Sequence, residues 1–409
     1  MSGDRRQPAD IMGEEAPRRR ISLQDQLDCV PVYVVWEITL ACNLKCLHCG
    51  SRAGHRRAGE LSTAECIDVV RQLAELGTRE ISIIGGEAFI RKDWLAIVRA
   101  IRAHGIECTM QTGGYKLSAA MIEAAAEAGL QGIGVSIDGL EALHDRLRGV
   151  RGSYAEALRV LNDCRRLGLS ASVNTQITSA VTPQLPDLMD VIIAAGAKYW
   201  QVQLTVAMGN AVDNEEILLQ PYDLATLMPL LADLHRKGRE RDMLLLPGNN
   251  VGYFGPYDVL WRGPERGHYP GCPAGQNVIG LEADGTLKGC PSLATQRYSA
   301  GNVRDKPIAE LWSEHPAVAF NRDRGVEDLW GFCRSCYYAE VCRGGCTWTA
   351  DALFGRRGNN PYCHHRVLKL AQRGIRERIV KVEDAPMHSF ATGRFSLIEE
   401  AIPAAGVAA

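Results

Sequence analysis

Val32-Tyr-Val-Val-Trp-Glu-Ile38, then Thr-Leu-Ala, then Cys42-Asn-Leu-Lys-Cys46-Leu-His48-Cys49: residues 32–49 decide how the rest of the chain is read. The first part is β-branched and aromatic, the composition of a strand. The second part sets three cysteines directly behind that strand. Three thiolates at this spacing suit three irons of one cubane cluster and leave the fourth iron open to a small molecule. On spacing alone the alternative is a structural zinc with His48 as fourth ligand, although such close sequence neighbours make a poor tetrahedral set.

Outward from this stretch, strand and helix alternate. Ser62 and Glu65 form a capping box for a helix whose apolar residues Ile67, Val70, Leu73 and Leu76 recur at helical spacing, and Gly77 stops it. Further strands are expected over residues 80–84, 106–111, 132–137, 170–177 and 199–204. Helical patterns separate them, including the face Trp94, Ile97, Val98 and Ile101, and a last helix is expected over 224–237. The pattern predicts an α/β fold with a parallel sheet, six strand–helix units in all, short of an eight-fold barrel: a partial, TIM-like (β/α)6 barrel.

Ligands of such sheets sit at the carboxyl ends of the strands. Gly85-Gly86-Glu87 follows the second strand, Thr112 ends the third, and Ser136-Ile-Asp138-Gly139 closes the fourth, with His144, Asp145 and Arg148 next. Asn174 lies on the fifth. Cys108 shares strand parity with Met110 and Thr112, which predicts that it faces the barrel interior; the plainer alternative is a small core residue.

The remaining chain divides by composition. Residues 1–30 are polar and Arg-rich, a flexible N-terminal arm; 31–240 hold the barrel; 241–270 are rich in Gly, Pro, Asn and Tyr and read as an irregular bridge. Residues 271–370 form a small cysteine-rich domain, and 371–409 a C-terminal helix and tail, the helix pattern beginning near Val367. In the bridge, Asn249, Asn250, Tyr253, Tyr257, Asp258 and His268 are polar groups suited to lining a substrate opening. Asp258 or His268 is the candidate base for a proton lost during substrate oxidation.

Charge excludes several functions. Lys plus Arg number 46 against 48 Asp plus Glu in 409 residues, a balance that points to neither nucleic acid nor an anionic membrane. No apolar run approaches the roughly 20 residues of a membrane helix. No apolar segment follows Arg18-Arg19-Arg20 as a secretory signal requires, so a cytoplasmic protein is expected. Fourteen cysteines are many for that compartment, where clustered thiols indicate metal or catalysis rather than disulfides. Besides the first three, seven fall between Cys272 and Cys363: Cys272, Cys290, then Cys333, Cys336, Cys342 and Cys346, then Cys363.

The Cys42, Cys46, Cys49 loop behind the first strand resembles the radical S-adenosylmethionine (SAM) superfamily. That resemblance implies a 4Fe-4S cluster whose open iron chelates SAM and cleaves it to a 5′-deoxyadenosyl radical that takes hydrogen from a substrate. Gly85, Gly86 and Glu87 are similar to the family's Gly-Gly-Glu motif, which binds the SAM amino group. Ser136 and Arg148 resemble the pair that holds the SAM carboxylate and ribose in its peptide-modifying branch; Thr112 and Asn174 are further candidates for the same pocket. The second cysteine set resembles a SPASM domain. By that resemblance Cys333, Cys336, Cys342 and Cys363 ligate a distal auxiliary 4Fe-4S cluster, and Cys272, Cys290 and Cys346 a nearer one, making three clusters in all. No fourth cysteine stands near Cys272, so that iron is open, binds substrate, or takes another ligand.

The whole is most similar to peptide maturases, which modify ribosomally made peptides oxidatively, often by crosslinking. The implied partners are a peptide or protein substrate, an electron donor such as flavodoxin or ferredoxin, and a separate leader-binding protein or direct recognition by the barrel, since only 41 residues precede Cys42. The other readings are a peptide epimerase using Cys108 as hydrogen donor, a sulfatase-maturase-like enzyme, a radical SAM enzyme for a small molecule or haem precursor, and a zinc-binding interaction protein.

Overall fold

The computed structural model describes residues 21–266, 268–269, 271–313 and 315–403. Residues 1–20 of the expected arm and 404–409 of the expected tail lie outside them. Seven parallel strands follow one another across a sheet in chain order: β1 Tyr33–Thr39, β2 Glu80–Gly85, β3 Glu107–Thr112, β4 Gly132–Ser136, β5 Ser170–Ile177, β6 Tyr199–Leu204 and β7 Leu244–Pro247. Six were expected. The seventh, four residues long, opens the segment read as an irregular bridge, and it pairs with β6 from Tyr199↔Leu244 to Val202↔Pro247. Pro247 ends it, which is why its hydrophobic run is too short to announce a strand.

The cysteine-rich region is not a separate bead. β8 Val278–Leu281 adds to the other edge of the barrel sheet, parallel to β1, and β9 Thr286–Lys288 and β10 Ser299–Asn302 continue it antiparallel. The sheet runs unbroken from β10 to β7, so the first strand of the barrel lies mid-sheet, with the loop of the first three cysteines directly behind it. Helices cover the outer face. The helix Trp94–Ala103 buries Trp94, Ile97, Val98 and Ile101, as its spacing predicts. The helix Thr63–Glu75 keeps its Ser62/Glu65 capping box but buries Cys66, Val69, Val70 and Leu73, leaving Ile67 facing solvent. No helix among the described residues is long and apolar enough to cross a membrane.

Both ends of the described chain depart from expectation. Part of the arm folds as a short helix, Leu23–Leu27, capped by Ser22 and tied to the barrel by an Asp25–Arg79 ion pair of 2.5 Å. At the other end the helix His364–Ala371 stops short, Gly374 turns the chain with φ +72°, and a two-stranded hairpin follows, β11 Ile375–Glu383 with β12 Arg394–Ala401. Arg366 on the helix grips Glu377 on β11 with both carboxylate oxygens, at 2.7 and 2.6 Å, and both side chains are buried. That bidentate pair fixes the hairpin against the helix. The connection between the two strands reaches back to the barrel: Phe390 N–H donates to the Gly50 carbonyl (3.2 Å) and the Ala391 carbonyl accepts from Gly209 N–H (2.8 Å).

Candidate active site

The carboxyl ends of β1 to β6 open on a cavity of about 790 Å³. Cys42, Cys46 and Cys49 line it, and so do Gly85, Gly86, Glu87, Thr112, Ser136, Arg148 and Asn174. Every residue read from the sequence as belonging to the first cysteine loop and its pocket is thus brought to one space.

The cysteine loop is held by its backbone. Lys45 and Leu47 N–H donate to the Arg148 and Leu147 carbonyls, Asn210 N–H to the Cys49 carbonyl, and Asn210 Nδ2 to the Cys46 carbonyl. The end of β2 packs on this loop with no room to spare. A Cβ on Gly86 would lie 2.3 Å from the Ala41 carbonyl oxygen and 2.7 Å from Cys42 Cβ, so only glycine fits. Burial pushes the Cys42 and Cys46 thiols up to about 12, with like charge from Glu87 adding to it at Cys42. Such thiols give up their protons to a strongly cationic centre that binds them.

Glu87 is wholly buried at the cavity wall. It accepts from the Thr112 hydroxyl and, at 2.7 Å, from Gly113 N–H. Burial nonetheless pushes its carboxyl up to about 7. Arg148 is fixed by Asp138, which Ser136-Ile-Asp138 carries into the core: Arg148 Nη2 stands 2.7 Å from Asp138 Oδ2, and His48 Nε2 stands 3.1 Å from the same oxygen. The other oxygen accepts from Gln176 N–H (2.8 Å). Burial alone would raise the Asp138 carboxyl; the Arg148 cation and His48 reverse that and hold it well below the usual carboxylate range. Arg148 Nη1 reaches the Cys46 sulfur at 3.8 Å. Asp138 and His48 are therefore the positioning pair behind Arg148. The sequence carried the signal in Ser-x-Asp at a strand end, but not the contact with His48.

Three candidates are not brought to the cavity. Thr109 and Gln111 line it from β3, so Cys108 has the opposite parity and packs with Ile81 and Met110 in the core between sheet and helices. Thr112 lines the cavity only because it ends the strand. Asp258 is buried at the start of the helix Asp258–Arg266, where it accepts from Tyr269 N–H (3.0 Å) and pairs with Arg262 (3.3 Å). His268 is exposed and stacks on Phe254. Of the bridge residues, Asn249 does line the cavity, whereas Asn250 caps the end of β6 through Leu204.

The seven later cysteines fall into two groups. Cys333, Cys336, Cys342 and Cys363 line one small cavity together with Phe254, Phe332, Tyr338 and His365. Cys272, Cys290 and Cys346 lie within electrostatic reach of one another beside Trp348, with Cys346 at the N-terminus of the helix Thr347–Phe354. Among the described residues no three His, Cys, Asp or Glu side chains close on a single ion. Both groups are thiols in aromatic surroundings, Cys346 buried and the other six half-buried, a donor set suited to iron–sulfur clusters. Buried donors without protein partners stand beside them, Tyr269 Oη and Arg324 Nε and Nη2; cluster sulfurs are acceptors of the kind they lack.

Comparison with known proteins agrees with this geometry. Residues 36–192 match the model of the radical SAM superfamily, and residues 272–337 match that of the SPASM iron–sulfur cluster-binding domain. The chain is 28% identical over 362 residues to Fe-coproporphyrin III synthase of Methanosarcina barkeri, covering 84% of this chain and 90% of that one. It is 31% identical over 362 residues to PqqA peptide cyclase of Rhodopseudomonas palustris, with the same coverage of 84% and 90%. In fold it resembles Streptococcus suis SuiB bound to the precursor peptide SuiA, with TM-score 0.63 and 19% identity over 85% of this chain and 78% of that one.

Proposed function

From the premise that the chain belongs to the radical SAM superfamily and carries a SPASM domain, we propose that it oxidatively modifies a ribosomally made peptide. A cluster and SAM bound at the strand ends would supply one-electron reductive chemistry there. The protein's own residues bind and orient. Cys42, Cys46 and Cys49 would hold the cluster, the Glu87 carboxylate would receive the SAM ammonium, and Arg148, kept in place by Asp138, would offer its unpartnered Nε–H to the SAM carboxylate. The later cysteine groups would hold two auxiliary clusters, which would supply one-electron redox capacity.

The observation that carries the peptide reading is the cavity wall. Around the SAM pocket it presents side-chain amides from β3, β5 and β6 and from just beyond β7, Gln111, Asn174, Gln176, Gln201, Gln203 and Asn249, the first two bonded to each other. Amides offer donor and acceptor together, the complement of a peptide backbone. Arg148 is the one Lys or Arg in the lining, and Asp138 already neutralises it. A tetrapyrrole bearing several carboxylates would enter this cavity with its charges unpaired, a large desolvation cost. The cysteines of the lining are the three of the first loop, with no further thiol to return a hydrogen atom, which favours net oxidation over epimerisation.

The test incubates anaerobically reconstituted enzyme with SAM and a reductant, adding either precursor peptide or Fe-coproporphyrin III. Release of 5′-deoxyadenosine that depends on peptide, with loss of two hydrogens from the peptide mass, is the expected result. Decarboxylation of the tetrapyrrole, with peptides inert, would overturn the reading.

Glu87 supplies a second check on the pocket. Glu87→Gln keeps an oxygen acceptor and removes the charge. Loss of one charge-assisted hydrogen bond is worth about 1.5–3 kcal/mol, so SAM should bind roughly ten- to a hundredfold more weakly. Calorimetric titration of SAM into the iron-loaded protein reads this directly, and an unchanged affinity would remove Glu87 from the SAM site.

A further inference from the structure

Arg324 is buried, yet most of its guanidinium has no partner among the described residues. Nη1 donates to Asn321 Oδ1 (3.2 Å) and Thr347 Oγ1 (2.8 Å), next to Cys346, while Nε and Nη2 have none. No carboxylate pairs with it among the described residues: its acidic neighbour Asp328 is taken by Arg357 at 3.2 Å. A buried cation in this condition is costly unless an anion stands beside it.

The space it faces is that of the later cysteines. The segment Cys342-Arg343-Gly344-Gly345-Cys346 carries one cysteine of each group, and Arg324 lies against it. A Cβ on Gly344, whose φ is +77°, would come 3.2 Å from Arg324 Nη2. Cys272 and Tyr269 lie within electrostatic reach of the guanidinium, and Cys333 of the other group does too. Tyr269 borders the same space. Its ring is wholly buried in one apolar cluster with Cys346 and Tyr253, and its hydroxyl has no partner among the described residues.

We propose that Arg324, with Tyr269, is a redox-tuning pair set between the two auxiliary clusters, which raises their reduction potentials so that they accept the electron released by substrate oxidation. This rests on reading the seven later cysteines as ligands of those clusters. Each couple gains one electron and becomes more negative by one charge. The guanidinium stays protonated in both states, so no proton moves with that electron. A fixed positive charge and free N–H and O–H donors stabilise the reduced form more than the oxidised form, because hydrogen bonds and charge near cluster sulfurs set the potential.

The experiment is a redox titration of the fully reconstituted protein, followed by electron paramagnetic resonance, in wild type, Arg324→Gln, Arg324→Lys and Tyr269→Phe. Iron and sulfide are counted for each. Arg324→Gln should lower the potential of at least one auxiliary couple by about 59 mV or more, a tenfold change for one electron. Arg324→Lys, which keeps the charge, should lie nearer wild type, and Tyr269→Phe should shift less than Arg324→Gln. The couple lost on removing Cys42, Cys46 and Cys49 should not move. Unchanged auxiliary potentials in Arg324→Gln at full iron content would overturn the proposal. So would iron loss in both Arg324 variants, which would make the residue a structural strut. A wild-type protein with iron for one cluster only would instead refute the reading of the cysteines, a result visible before any variant is titrated.

Discussion

In the Cys42/Cys46/Cys49→Ala protein, iron should fall from about twelve to about eight per chain, and SAM cleavage should cease. The expectation rests on separation. The loop is held by backbone hydrogen bonds to Leu147, Arg148 and Asn210 that do not involve the thiols, so it should keep its course when the sulfurs are gone. The two later groups lie in their own aromatic surroundings and should load as before. Loss of a single cluster's iron with the rest retained would therefore count the clusters as three and assign one to this loop. Zinc in place of iron, or iron unaffected by the triple substitution, would return the chain to a binding role. Circular dichroism of the variant checks that the sheet is intact.

Asp138→Ala should cost about 3–5 kcal/mol of stability, the usual penalty for stranding a buried cation. Asp138 is fully buried and serves Arg148, His48 and the Gln176 amide at once. Asp138→Asn, which keeps an acceptor for Gln176 but not the charge, should fall between. The pH dependence follows from the direction of the shift. A carboxyl held below its unfolded value contributes stability that is fully present above the ordinary range near 4 and is lost as pH falls through the lower folded value. The gap between wild type and Asp138→Ala should thus be flat across neutral and mildly acid pH and close only in strong acid. Denaturant titration under anaerobic conditions measures it. A difference under about 1 kcal/mol, the value of a solvated surface pair, would show that water reaches Arg148.

Much of this was legible because the chemistry is local in sequence. Three cysteines behind a strand, Gly-Gly-Glu behind the next and Arg148 behind the fourth all lie at strand ends, where a parallel sheet must gather them. What was illegible depends on which way a side chain turns or what a distant segment brings. Strand parity is decided by the helices outside and the cavity inside, so the sequence left Cys108 between the barrel interior and the core, and the structure puts it in the core. The Val69-Val70 doublet likewise allowed two helical faces, and the one containing Cys66 won. Asp258 and His268 sit in a glycine-rich segment with no period to orient them. Arg324 lies among the later cysteines but carries no spacing signal of its own, and its significance comes only from the company it keeps in space.

The hairpin tip imposes an order on the making of this protein. Phe390 and Ala391 are translated late, yet they close on Gly50 and Gly209 beside a cysteine loop translated early. During most of synthesis the loop has its strand and its neighbouring glycines but not its latch. Cys42, Cys46 and Cys49 are still half-exposed once the tip is in place, so the late latch fastens the backbone beside the loop and leaves the thiols open to metal loading.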